Sequence, residues 1–175
     1  MIKIRILLEN TCVEQGIVCR HGLSMYVETP AHKVLFDVGP DDAFLKNALL
    51  LSADISSVDT AVLSHGHYDH GGGLETFFRV NAAAPLYLRR AAMEPHYSVA
   101  AGKTPRDIGL SPALEQYRER LRFTEAAQRI DQELLLFSEA GPSPVPISAN
   151  QRLRRKEGDT YPQDDFRHEQ HLLVT

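Results

Sequence analysis

Ser64-His65-Gly66-His67-Tyr68-Asp69-His70-Gly71-Gly72-Gly73 places three of the chain's eight histidines and one aspartate within six residues. The preceding Val58-Asp59-Thr60-Ala61-Val62-Leu63 is short, apolar and partly β-branched, the pattern of a buried strand. The three glycines lead into Leu74-Glu75-Thr76-Phe77-Phe78-Arg79-Val80, which reads as a helix. The polar cluster therefore lies at the end of a strand, on the turn into a helix, where open sheets bind ligands and metals. A turn is required, because four ligands packed this closely cannot converge from one regular strand or helix. A strand sends His65 and His67 to one face. Bending the chain afterwards brings Asp69 and His70 round to a second point nearby.

The ligand types define the chemistry. Neutral imidazole and carboxylate suit zinc, iron or manganese better than calcium or magnesium. Two histidines two apart can hold one ion, and an aspartate with a further histidine can hold a second. Two such ions can share a hydroxide, lower its pKa to about 7 and polarise an ester or amide oxygen. A histidine-rich surface loop would need neither this spacing nor this strand-turn-helix context.

His-x-His-x-Asp-His after an apolar strand resembles the metallo-β-lactamase superfamily. His21-Gly22-Leu23-Ser24, Leu35-Phe36-Asp37-Val38-Gly39, Asp42-Ala43-Phe44-Leu45-Lys46-Asn47-Ala48 and Asp164-Asp165-Phe166-Arg167-His168-Glu169-Gln170 resemble one branch of it. That branch includes the archaeal 7,8-dihydropterin-6-yl-methyl-4-(β-D-ribofuranosyl)aminobenzene 5'-phosphate synthases. The resemblance implies an α+β fold, the αββα sandwich, of which this chain supplies the N-terminal half and a truncated second half. It implies metal ligands at His65, His67, Asp69 and His70, with Asp69 also orienting the attacking hydroxide. Asp37 is expected to support the ligands, although an aspartate at a strand end also forms turns. The expected cofactor is zinc at two sites, with iron or manganese as alternatives.

The implied activity is metal-dependent hydrolysis of an ester, amide or phosphoester by a metal-bound hydroxide. The implied substrate is a small molecule, phosphorylated or pterin-like. An inactive product that binds metal weakly or self-associates is the alternative reading, and a nuclease of the same superfamily is a third. The formal net charge of −4 argues against a nucleic-acid partner. No apolar run approaches a membrane span. Met1–Asn10 is too short and too charged for a signal peptide, so the expected location is cytoplasmic. Cys12 and Cys19, the only cysteines, lack zinc-site spacing and are expected to be reduced and structural.

At 175 residues, with 43% hydrophobic and 24% charged residues, the chain is expected to form one domain, 1–175, incomplete at its C-terminus. Strands are predicted over 2–8, 23–28, 33–38, 85–88 and 134–137. His32 is expected to be solvated in the turn between the second and third. A helix capped by Asp41 or Asp42 is predicted to run to about Leu51, with Phe44, Leu45, Ala48 and Leu49 inward. Residues 89–110 read as loops around a short helix, with His96 exposed or, as the alternative, in reach of a substrate, and 112–121 as helical. Residues 141–162 read as a long loop whose basic run, Arg152–Lys156, is solvated or meets an anionic substrate group.

The branch places a Gly-Cys-Ser-His motif, the next ligand, just after a strand like His171–Thr175. The chain is accordingly expected to lack three further ligands, with His168 and His171 as candidate substitutes. It is also expected to expose an apolar face that a second copy could cover. A gene fragment or frameshift would explain the stop, and so would a selenocysteine codon at that cysteine. An in-frame TGA after Thr175, followed by a Ser-His continuation in the coding DNA, is the expected sign of the latter, and no continuation would exclude it.

Overall fold

The computed structural model describes residues 1–12, 14–138 and 148–175. Much of the proline- and serine-rich part of the 141–162 segment lies outside the described residues.

Alternating side chains build the fold, because successive residues of a strand face opposite sides of a sheet. Strands β1 (Lys3–Leu8), β2 (Ser24–Glu28) and β3 (Lys33–Phe36) form an antiparallel meander. Thr29-Pro30-Ala31-His32 closes its second turn, with the Thr29 N–H donating to the His32 carbonyl at 2.9 Å. The chain then forms helix α1 (Ala43–Leu50), strand β4 (Thr60–Val62), helices α2 (Tyr68–Gly71) and α3 (Leu74–Val80), and strand β5 (Leu86–Arg89). Short strands β6 (His96–Ser98) and β7 (Arg106–Asp107) follow, then a 3-10 segment over Pro112–Arg120 and strands β8 (Leu121–Thr124), β9 (Ala127–Arg129) and β10 (Leu134–Phe137). Strands β11 (Leu153–Arg155) and β12 (His171–Val174) complete the described chain.

Six strands form the main sheet in the order β1-β2-β3-β4-β5-β8. The pairings β3–β4, β4–β5 and β5–β8 are parallel. Leu35, Ala61, Leu63 and Leu86 face a core closed by Phe44 and Ala48 of α1 and Leu74 and Phe77 of α3. Val34 and Val62 face the other way, onto Leu134 and Leu136 of a three-stranded sheet ordered β12-β10-β9. The result is a helix layer, a central sheet and a second sheet, in an α+β fold.

Several local expectations change. Helix α1 begins at Ala43, with Asp41 Oδ1 accepting the Ala43 N–H at 2.9 Å. That phase buries Phe44, Asn47 and Ala48 and leaves Leu49 78% exposed. Asn47 donates to the carbonyls of Leu7 and Val18, tying the helix to β1 and to the connection that follows it. Residues 89–110 contain β6 and β7 in place of plain loops, and His96 is buried. The middle of the basic run, Leu153–Arg155, is a strand and not a free loop: Arg154 donates to Gln163, and Arg155 pairs with Glu157 and Asp165.

Cys12 and Cys19 form a disulfide, contrary to the expectation of free thiols. The connection doubles back, with Arg20 N–H to the Glu9 carbonyl and Gly22 N–H to Asn10 Oδ1, and the cysteine Cα atoms come 5.7 Å apart. That separation is within disulfide range. On the opposite face, Ile2, Ile4 and Ile6 are exposed. Ile2 and Ile4, with Met25, Phe36, Leu172 and Val174, border an apolar cavity of about 260 Å³.

His32 is not a free turn residue. Its Nδ1 lies 2.8 Å from Asp59 Oδ1 and its Nε2 pairs with Asp131, so one ring links the main sheet to the β9–β10 turn. Partial burial works against the imidazolium, but the two carboxylates outweigh it and raise the His32 pKa above the usual histidine value. A raised folded-state pKa stabilises fully below the unfolded value and is lost as pH climbs through the folded value. The denaturation midpoint should therefore fall between about pH 6 and about pH 9 by more in the wild type than in His32→Gln. Equal falls in urea titrations of the two proteins would exclude this link.

Candidate metal centre

Parallel pairing of β3 with β4 sets Phe36 beside Val62, so the chain leaves both strands at the same edge. Asp37 follows β3 with φ of 56°, a left-handed conformation uncommon outside glycine. The turn aims its buried carboxylate across at the residues following β4. Oδ1 accepts the Ser64 N–H at 2.7 Å, and Oδ2 accepts the Ser64 hydroxyl at 2.7 Å. His70 Nδ1 lies 2.7 Å from Oδ2. The Val38 N–H donates to the His70 carbonyl at 2.8 Å, so backbone and side chain lock the same junction.

These bonds determine which ring nitrogens are free. The Ser64 hydroxyl gives its proton to Asp37 and lies 2.9 Å from His65 Nδ1, so it accepts from that nitrogen. His65 and His70 then each donate through Nδ1 and keep Nε2 for another ligand. Their ring centroids are 4.2 Å apart. Asp69 Oδ2 lies 3.9 Å from His70 Nε2. One ligand atom each from His65, Asp69 and His70 lies within 4.8 Å of the others. Small side-chain rotations bring such atoms to the roughly 2.0–2.2 Å of a zinc-type ion.

The electrostatics suit a cation. Burial, then the neighbouring histidines, push the His65 pKa down to about 2, so its imidazole is neutral. For His70, burial opposes the imidazolium, but the Asp37 hydrogen bond prevails and raises the pKa. A proton and a metal ion therefore compete for His70 Nε2.

Gly22 and Gly66 allow the close approaches around this group. A Cβ on Gly22, whose φ is 133°, would lie 1.9 Å from the Asp69 carbonyl oxygen. The approach brings His21 Nε2 to 3.4 Å from Asp69 Oδ2. A Cβ on Gly66 would lie 2.5 Å from the Ala92 carbonyl.

The structure brings His65, His67, Asp69, His70 and Asp37 together but does not divide the four candidate ligands into two pairs. His65 groups with Asp69 and His70, whereas His67 Nε2 points the other way, toward buried His96, Asp164 and His168. The ring of His67 stays 4.7 Å from that of His65. His96, expected in the first place to be exposed, is buried in this group. Asp164 and His168 stand in the Asp164–Gln170 stretch already noted, and Gln170 completes its role. The Gln170 side-chain amide donates to the Leu63 and Tyr87 carbonyls and accepts from Thr124, tying this stretch under β4, β5 and β8. His171 is exposed beside Phe137, in the second sheet.

The sequence profile described as the metallo-beta-lactamase superfamily matches residues 17–167. The chain belongs to the metallo-beta-lactamase superfamily. Within that superfamily it is 27% identical to Tm1679, whose crystal structure is described as a metal-dependent hydrolase of the beta-lactamase superfamily. The two superimpose with a TM-score of 0.75 over 99% of this chain and 61% of the other. Uncharacterized protein MJ0448 of Methanocaldococcus jannaschii is 29% identical over 137 residues, 76% of this chain and 51% of its own length. The 7,8-dihydropterin-6-methyl-4-(beta-D-ribofuranosyl)-aminobenzene-5'-phosphate synthase of the same organism is 31% identical over 93 residues, 46% of this chain and 32% of its own length. The chain thus spans about half or less of the curated relatives it matches.

Asparagine tolerates positive φ, so Asp37→Asn should keep the turn while losing the carboxylate. Metal affinity is expected to fall by about 10–100-fold, as for other partners of ligating histidines. Asp37→Ala should also lose stability, by about 1–3 kcal/mol for each buried donor left unpaired. Competition with a chromophoric chelator and urea denaturation measure the two effects. Unchanged Co²⁺ affinity in Asp37→Asn would remove this role.

Proposed function

We propose that the chain carries the metal-binding half of the active centre of a metal-dependent hydrolase acting on an ester, amide or phosphoester of a small molecule. The observation that carries this reading is the convergence of His65, Asp69 and His70, with two ring tautomers set in advance by Asp37 and Ser64. Two imidazoles and a carboxylate fit zinc, with iron or manganese as the alternatives. A bound metal would supply Lewis acidity toward the scissile group and toward water.

The chain's own residues do the rest. His65 and His70 present Nε2 and Asp69 a carboxylate oxygen, while Asp37 and Ser64 fix the two rings. Asp69 is the side chain placed to accept a proton from water at this centre, with His21 beside it. His67, Tyr68 and Asp69 border a cavity of about 280 Å³ that Ser98 and Arg106 also line. The Arg106 guanidinium lies 5.8 Å from the Tyr68 ring centroid, a cation and an aromatic face suited to an anionic or flat heterocyclic substrate. Similarity to the M. jannaschii synthase favours a phosphorylated or pterin-like molecule. Metal binding without turnover is the second reading.

Metal content by plasma mass spectrometry, with hydrolysis of nitrophenyl phosphodiesters and esters after reconstitution with Zn²⁺, Fe²⁺ or Mn²⁺, tests both. Bound metal and chelator-sensitive turnover, both lost in His65→Ala/His70→Ala, are expected. Bound metal with no turnover favours the second reading. Turnover unaffected by the double substitution would overturn the first.

A further inference from the structure

Behind His67 lies a second buried carboxylate. Asp164 Oδ1 accepts the Phe166 N–H at 2.9 Å, and the Asp164 N–H donates to the Leu153 carbonyl at 3.1 Å. Oδ2 faces three imidazoles: His168 Nε2 at 3.2 Å, His96 Nδ1 at 3.4 Å and His67 Nε2 at 3.8 Å. All four residues are buried.

The surrounding bonds fix the protons. His168 Nδ1 accepts the Gly66 N–H at 3.0 Å, so a neutral His168 carries its proton on Nε2 and gives it to Asp164. His96 faces acceptors on both sides, with Ala91 O 3.2 Å from Nε2 and Asp164 Oδ2 3.4 Å from Nδ1, and Nδ1 is buried with no hydrogen-bond partner among the described residues. His67 Nε2 is buried with no hydrogen-bond partner among the described residues. A lone pair there would face a carboxylate oxygen and be repelled, whereas an N–H is attracted.

We propose that Asp164, braced by His168, is a positioning residue for His67: its Oδ2 draws the Nε2 proton of His67 and leaves Nδ1 as the nitrogen free to ligate metal. The separation of 3.8 Å is longer than a hydrogen bond, and a small turn of the ring closes it. His168 grips the same hairpin twice, through Asp164 and through the backbone of Gly66. His67 is thus held from behind as His70 is held by Asp37, from a segment about a hundred residues further along the chain. A cation in the centre of the four side chains conflicts with His168, whose Nδ1 is already an acceptor, since ligation at Nε2 would require that ring to lose both protons. The ligand role of His67 rests on the metal-dependent reading; its tautomer does not.

Two-bond ¹H–¹⁵N correlations of the metal-free chain, labelled with ¹⁵N-histidine, report each ring's tautomer at about pH 8, above the usual histidine pKa. The His67 signal is identified by its loss in His67→Gln. A His67 proton on Nε2 in the wild type, moving wholly or partly to Nδ1 in Asp164→Asn, is the expected result. A wild-type proton on Nδ1 overturns the proposal and requires no variant to fold. Co²⁺ titration should show Asp164→Asn binding about 10–100-fold more weakly, with partial recovery in Asp164→Glu. Unchanged affinity overturns it. A tight Co²⁺ equivalent retained in His65→Ala/His70→Ala and lost on adding His96→Ala would place a cation at Asp164 and also overturn it. A wild-type chain that binds no Co²⁺ defeats the metal-dependent reading, while the His67 tautomer still decides this one.

Discussion

The Asp37 carboxylate is the constraint on which the geometry of the histidine cluster depends. Three donors converge on its two oxygens, and two of them belong to the serine that opens the histidine cluster. That convergence is available only because β3 and β4 are adjacent and parallel, so their ends open at the same edge. The cost is a left-handed residue that is not glycine, and such strain persists where the surroundings over-determine it. Here they do. The Ser24 hydroxyl holds the Asp37 carbonyl, and the Asp37 N–H is tied to Val62.

Rigidity around the site follows from the layers. The central sheet is packed on both faces, by α1 and α3 on one side and by the second sheet on the other. The histidine cluster at its edge inherits that stiffness, which a preorganised site needs. The glycines at 22 and 66 serve close approach more than flexibility. Each lets a neighbouring backbone come nearer to the ligand hairpin than a methyl group would allow.

Much of this was legible in the sequence where a pattern is local. His65 to His70, the strand before them and the helix after them occupy one short stretch. Asp37 was legible as a supporting residue because it stands at a strand end inside a recognisable motif. The tautomers of His65 and His70 were not, since they depend on Ser64 and Asp37 meeting across a parallel pair. His96 was misread as exposed because a histidine in a weakly patterned segment carries no signal of the carboxylate that buries it. Leu49 was misread because the helix phase was set by Asn47, a polar residue whose partners lie in β1 and in the connection that follows it. His32 and the cysteine pair failed for the same reason: their partners are placed by tertiary structure.

The Gly66–His168 bond spans 102 residues, whereas the Asp37–His70 bond spans 33. During synthesis at about 5–20 residues per second, roughly 5–20 s separate the emergence of the histidine hairpin from that of its rear support. Closing so long a loop is slow relative to local turns. The front of the site can therefore settle against Asp37 while Gly66 and the back of His67 still have no partner. The residues of the histidine cluster are adjacent in sequence, but the partners that hold its front and its back are supplied by segments 33 and 102 residues away.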